Sequence, residues 1–95
     1  MVNTVTGPWD PAQHLNSEED MAAYLEAALE ENDPNLVAAA LGDIARAKGM
    51  TQVAKDAGLS RESLYRALSA DGNPSFATVL KVARALGVKL HAEAA

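Results

Sequence analysis

Apolar residues recur along most of this chain at intervals of three and four, the spacing of helices that bury one face. Met21, Leu25, Ala28 and Leu29 mark a first helix that runs to about Glu31. Ser17 precedes it as an N-cap, and Glu18, Glu19 and Asp20 fill the first turn, where carboxylates complement the helix dipole. Asn32-Asp33-Pro34 stops that helix and opens the next, with Asp33 as N-cap and Pro34 at the first helical position. Val37, Ala40, Leu41, Ile44 and Ala45 form the second stripe, which Gly49 ends. Thr51 is expected to cap a third helix that Gly58 terminates, and Ser60 a fourth. After the loop Ala70-Asp71-Gly72-Asn73-Pro74, Ser75 caps a fifth helix whose stripe is Phe76, Val79, Leu80, Ala83 and Leu86, closed by Gly87. Val88-Lys89-Leu90-His91 alternates apolar and polar, which fits a short C-terminal strand or a frayed end. Residues 1–16 read as an irregular arm and residues 17–95 as one helical domain. The expected fold is an all-α, five-helix bundle.

The stretch Thr51 to Ser69 carries the sharpest signal. Ala54 and Gly58 stand in an A-x-x-x-G spacing, followed by Leu59 and the Ser60-Arg61 pair that opens a second short amphipathic run. This is the layout of a helix-turn-helix, in which one helix braces a duplex and the next lies in the major groove. Ala54 permits a close crossing, and Gly58 supplies the permissive backbone of the turn. Val53, Ala57, Leu59, Leu64 and Leu68 give the buried side. In the fourth helix Leu64, Ala67 and Leu68 point inward, and Glu62, Tyr65, Arg66 and Ser69 point outward.

The candidate DNA contacts follow from that geometry. Arg61 sits in the first turn, the part of a reading helix that enters the groove. Arg61 or Arg66 can donate a bidentate pair to guanine, worth ~1–3 kcal/mol of discrimination. Ser60 and Ser63 suit phosphates or bases, Ser69 lies on the same edge, and Gln52 can meet a phosphate with its amide, beside Thr51. Each residue also has a plainer role. Thr51 and Ser60 are helix caps; Glu62 and Arg66 are i, i+4 partners, worth ~0.3 kcal/mol as a surface pair; Tyr65 fits either the groove or the core edge. Lys81 and Arg84 read as solvated residues or as contacts to the DNA backbone.

Composition changes the picture at two points. The 95 residues suffice for one domain, 48% hydrophobic, with four aromatics and no cysteine. Without cysteine there is no disulfide framework or thiolate site, which suits a reducing cytoplasm. No apolar run is long enough to span a membrane, and the opening MVNTVTGPWDP lacks the basic and apolar regions of a secretory signal. The net charge of −5 taken as a whole opposes DNA binding, but it is split. Residues 1–50 carry nine acids and two bases, giving −7; residues 51–95 carry six bases and four acids, giving +2. Phosphate attraction follows the local basic footprint. A footprint of +2 is weak, so useful binding is expected of a dimer or of a complex with a basic partner.

Other chemistry is thin. His14 and His91 have no metal-ligand spacing, the acids from Glu18 to Asp33 lack a calcium-loop pattern, and no titratable cluster has catalytic spacing. No cofactor is expected and an enzyme is the least expected class. Trp9 either folds back on its own bundle or serves as an aromatic anchor for a partner.

The segment from Ala39-Ala40-Leu41-Gly42-Asp43-Ile44-Ala45-Arg46-Ala47-Lys48-Gly49-Met50, through Ser60-Arg61-Glu62-Ser63-Leu64-Tyr65-Arg66-Ala67-Leu68, to Ala85-Leu86-Gly87 resembles the addiction-module antidote proteins, HigA-like antitoxins with an Xre-type helix-turn-helix. Trp9-Asp10-Pro11-Ala12 and Tyr24-Leu25-Glu26-Ala27-Ala28-Leu29 extend the likeness over nearly the whole chain. It implies a lambda-repressor-like helical fold and a bacterial cytoplasmic protein. It also implies neutralisation of a small basic toxin of RelE, HigB or ParE type, and repression of the shared operon. The third helix, Thr51-Gln52 to Gly58, is two residues shorter than in typical phage repressors, so their contact positions do not transfer directly. An acidic front half suits a basic toxin, with Trp9, Leu15 and Tyr24 as candidate contacts. The arm is either mobile until bound or already packed. Two-fold readers of DNA bind half-sites about one helical turn apart, so a homodimer is expected, with the last helix and Val88 to Leu90 as its elements. A stand-alone phage-type repressor and an interaction module without DNA affinity are the competing readings.

Overall fold

The computed structural model describes residues 10–69 and 71–95. Trp9 lies outside the described residues. A 3-10 turn, Pro11–His14, is followed by α1 (Glu18–Glu30), α2 (Pro34–Lys48), α3 (Met50–Ala57), α4 (Arg61–Ala67) and α5 (Phe76–Leu86). Among the described residues the chain is all-helical, with five α-helices and no strand. The expected terminal strand does not form. Val88 and Leu90 instead pack half-buried against the core, because a lone extended segment has no neighbour with which to build a ladder.

Four side-chain caps start the helices. Ser17 accepts from the Asp20 N–H, Asp33 from Asn35, Ser60 from Ser63 and Ser75 from Thr78, all at 3.0–3.1 Å. Each occupies an orphan donor of a first turn, worth ~1 kcal/mol. Thr51 is not a cap. Gly49, at φ 109°, ends α2 by donating to the Ala45 carbonyl and is itself the N-cap of α3, so the helix begins two residues earlier and Thr51 sits exposed in its first turn. At the other end Gly58 adopts φ 73°, its N–H bonds to Lys55 and that of Leu59 reaches back to Ala54, a Schellman closure. That closure turns the chain sharply from α3 into α4.

α2 is the central element, packed by α1, α3, α5 and the 3-10 turn. Leu41 and Ile44 from α2, Leu64 from α4, and Val82 and Leu86 from α5 are the largest fully buried side chains. Burial of each stabilises the fold by roughly 1.5–3 kcal/mol. Met21 and Leu25 bring α1 onto the same core, and Leu15 joins it at 8% exposure, so residues just before α1 are part of the body.

The stripe expected on α5 is corrected. Val82, Ala83 and Leu86 are buried and Val79 is half-buried, but Phe76 is 71% and Leu80 46% exposed. This helix has apolar residues on two faces, and contact with α2 and α3 selected the one containing Val82. Leu29 on α1 is likewise 43% exposed rather than buried.

Candidate nucleic-acid interface

α4 is held to the core by Leu64, at 0% exposure, and by Leu68 at its C-cap, at 4%. With those two inward, the opposite edge faces outward. Arg61, Glu62, Ser63 and Arg66 are exposed, Tyr65 is 67% exposed, and Ser69 is half-buried. Arg61, Glu62, Tyr65, Arg66 and Ser69 line one open depression of about 540 Å³. Six of the nine residues expected to touch DNA thus share one helix and its immediate end, with Ser60 capping that helix.

The hydrogen bonds sort these residues further. Ser60 Oγ accepts from the Ser63 N–H and donates to Ser63 Oγ at 2.9 Å, so both hydroxyls are engaged in the cap. Ser69 Oγ donates to the Arg66 carbonyl, and Gln52 Nε2 donates to Asp56 Oδ1 at 2.8 Å. Glu62 and Arg66 do not form their i, i+4 pair. Among the described residues no ion pair involves Arg61, Glu62 or Arg66. All six basic side chains of residues 51–95 are exposed and outside any such pair. Thr51 and Gln52 are exposed at the start of α3.

Two glycines missed by pattern reading hold α4 in place. A Cβ at Gly42, in mid-α2, would stand 2.6 Å from the Leu68 carbonyl oxygen; one at Gly72 would meet the Arg66 carbonyl oxygen at 2.7 Å. Both lie where a backbone presses on the end of α4. The signal for Gly42 was present, since an isolated glycine inside a helical stripe marks close packing. Gly72 and Asn73 of the α4–α5 loop line an open depression together with Ser63 and Arg66.

The front half is organised differently. Tyr24 is half-buried, and its hydroxyl donates to Asp43 Oδ2 at 2.6 Å. Arg46 bridges Asp43 and Asp10, donating to the two Asp10 oxygens at 3.0 and 3.2 Å. Partial burial and then the bond to Asp43 push the Tyr24 phenol up to about 12. The Ala12 N–H and then Arg46 hold the Asp10 carboxyl below its usual range. Lys48 donates to Glu18 and to the Leu86 carbonyl, tying α2 to α1 and α5. Of the three candidate partner contacts, Tyr24 therefore stands in this network and Leu15 lies in the core, where it offers little surface. Among the described residues no group of acids and histidines is placed to hold a metal ion, and no helix is long and apolar enough to cross a membrane.

Comparison with known proteins gives the class. A family model described as "Probable addiction module antidote protein" matches residues 5–94. The chain belongs to this family. It is also 53% identical over 85 residues to an uncharacterised protein of Haemophilus influenzae, covering 90% of this chain and 88% of that one. No solved structure matches.

Proposed function

We propose that the protein is the antitoxin of a type II toxin–antitoxin module, a HigA-like antidote that neutralises a small basic toxin of RelE, HigB or ParE type and represses its own operon. In this reading α3, the Gly58 turn and α4 are an Xre-type helix-turn-helix on a lambda-repressor-like bundle. α3 braces the duplex, α4 enters the major groove, and two copies read two half-sites as a cytoplasmic homodimer. It needs no cofactor and performs no catalysis.

The observation that carries the reading is the outer edge of α4. Arg61 and Arg66 are exposed cations outside any ion pair among the described residues, on a helix whose other side is locked into the core by Leu64. A guanidinium without a carboxylate partner keeps its planar donor fork for guanine or phosphate. The antidote family supplies the second half, since an antidote acts on a toxin. The acidic balance of residues 1–50 and the basic balance of residues 51–95 support a reading in which the two partners meet different halves.

Titration of the full chain against DNA from upstream of its own gene, at several salt concentrations, tests the reading. Tight binding to that DNA over a scrambled fragment is expected, weakening linearly in log–log form with salt. Equal affinity for both fragments at every salt concentration removes the repressor role.

A further inference from the structure

α1 and α2 leave an open groove of about 400 Å³ between them. Ala27, Ala28, Ala39 and Ala40 line it with small side chains, and Tyr24 and Leu36 border it. Leu36 is 42% exposed, a large apolar side chain on a surface that nothing in the chain covers among the described residues.

The charge around this groove is unusual in sign. Glu31 lines it, and Glu30 and Asp33 stand on either side of Glu31 in the chain. Glu30 ends α1 and Glu31 is its C-cap, where the helix dipole already places partial negative charge and favours cations. The last turn of α1 holds no basic residue. Nor do the two bases of residues 1–50 reach them: Arg46 is taken by Asp10 and Asp43, and Lys48 by Glu18. Glu30 and Glu31, both exposed, thus stand at the end of a helix whose dipole opposes their charge, with neither base of residues 1–50 paired to them, while the Asp33 carboxylate is occupied in capping α2. A locally unfavourable arrangement of this kind marks a surface shaped for a partner.

We infer that the α1–α2 groove is the seat of the protein partner that this antidote neutralises, and that it takes an apolar helix face whose flanking Lys or Arg side chains meet Glu30 and Glu31. The inference rests on the antitoxin reading above and gives it an address. Alanine-lined walls admit the side chains of a helix laid in a groove. The acidic end sets the orientation and steers a cationic partner.

The test is calorimetric titration of the full chain with the purified product of the neighbouring reading frame. Ala27→Trp fills the groove from an exposed α1 position, Glu31→Lys reverses the acidic end, and Glu93→Lys makes the same charge change outside the groove. Ala27→Trp and Glu31→Lys are each expected to weaken binding on the order of tenfold or more, and Glu93→Lys by less than roughly threefold. The Glu31→Lys loss should shrink in high salt, while the Ala27→Trp loss persists. Undiminished binding by a folded Ala27→Trp overturns the groove and leaves the antitoxin reading intact. Equal losses for Glu31→Lys and Glu93→Lys reduce the effect to long-range steering and remove the contact. Absence of binding by the wild type overturns both. If sedimentation shows that Ala27→Trp turns a self-associated wild type into monomers, the groove belongs to a second copy and the inference falls.

Discussion

Replacing Gly42 with alanine sets two effects of opposite sign against each other. Gly42 lies inside α2, where alanine is the better helix former by about 0.8–1.0 kcal/mol. The new Cβ, however, would stand 2.6 Å from the carbonyl oxygen of Leu68 and 3.5 Å from its Cβ. Real Cβ atoms essentially never approach closer than 3.0 Å, so the end of α4 must retreat by at least about 0.4 Å. The obstacle is backbone and cannot rotate aside, and Leu64 and Leu68 are buried and move with it. Overpacking of this kind costs about 1–3 kcal/mol. Set against the propensity gain, the net loss reaches up to about 2 kcal/mol. A loss of 1 kcal/mol lowers Tm by about 4–8 °C in a domain of this size. Circular dichroism melts of Gly42→Ala and wild type give the sign directly, and Ala23→Gly, at an exposed α1 position, calibrates the propensity contribution. A Gly42→Ala protein that melts above wild type by the amount Ala23→Gly falls below it would refute the close approach of α2 and α4.

Three other outcomes are expected. Leu64→Ala should cost about 2–5 kcal/mol in urea unfolding, because its side chain is fully buried; a loss below about 1 kcal/mol would mean that α4 is not seated on the core. In a Tyr65→Phe background, ultraviolet titration should place the Tyr24 phenol at about 12, against an ordinary value of 10.0. Since the folded value is the higher one, the stability linked to the protonated phenol is intact below pH 10 and lost as pH rises towards 12; Asp43→Asn should bring the midpoint down, and a midpoint near 10 in the parent would contradict the hydrogen bond. Arg66→Ala should weaken upstream-DNA binding more than scrambled-DNA binding, by ~1–3 kcal/mol, whereas equal losses would assign Arg66 to the phosphate backbone.

The distribution of charge links these points. The front half holds its two bases internally, in contacts that fasten α2 to its neighbours, while the back half leaves its six bases exposed. Pairing leaves the net −7 and +2 unchanged, but it engages both bases of the front half and none of the six in the back half. One acidic half and one basic half in a single small bundle are what the proposed antitoxin, with a toxin and DNA as partners, would require.

Four of the five α-helix starts were readable from the chain because Ser17, Asp33, Ser60 and Ser75 serve amide donors two or three residues away. The Gly58 turn and the outward edge of α4 were legible for the same reason: a helical period and a positive-φ glycine are local properties. Whether Phe76 and Leu80 face the core or the surface was not local, since α5 carries two apolar faces and its neighbours chose between them. Nor was the cap of α3, where the backbone of Gly49 displaced Thr51. The links from Asp10 to Arg46 and from Tyr24 to Asp43 span 36 and 19 residues. No periodicity encodes such pairs. Sequence alone determined the helices and the signs of charge they carry, because those depend on residues within one or two turns. Tertiary packing alone decided which cations stay unpaired, which glycines must remain bare, and where α1 and α2 part to leave a groove, because each depends on backbones meeting from distant parts of the chain.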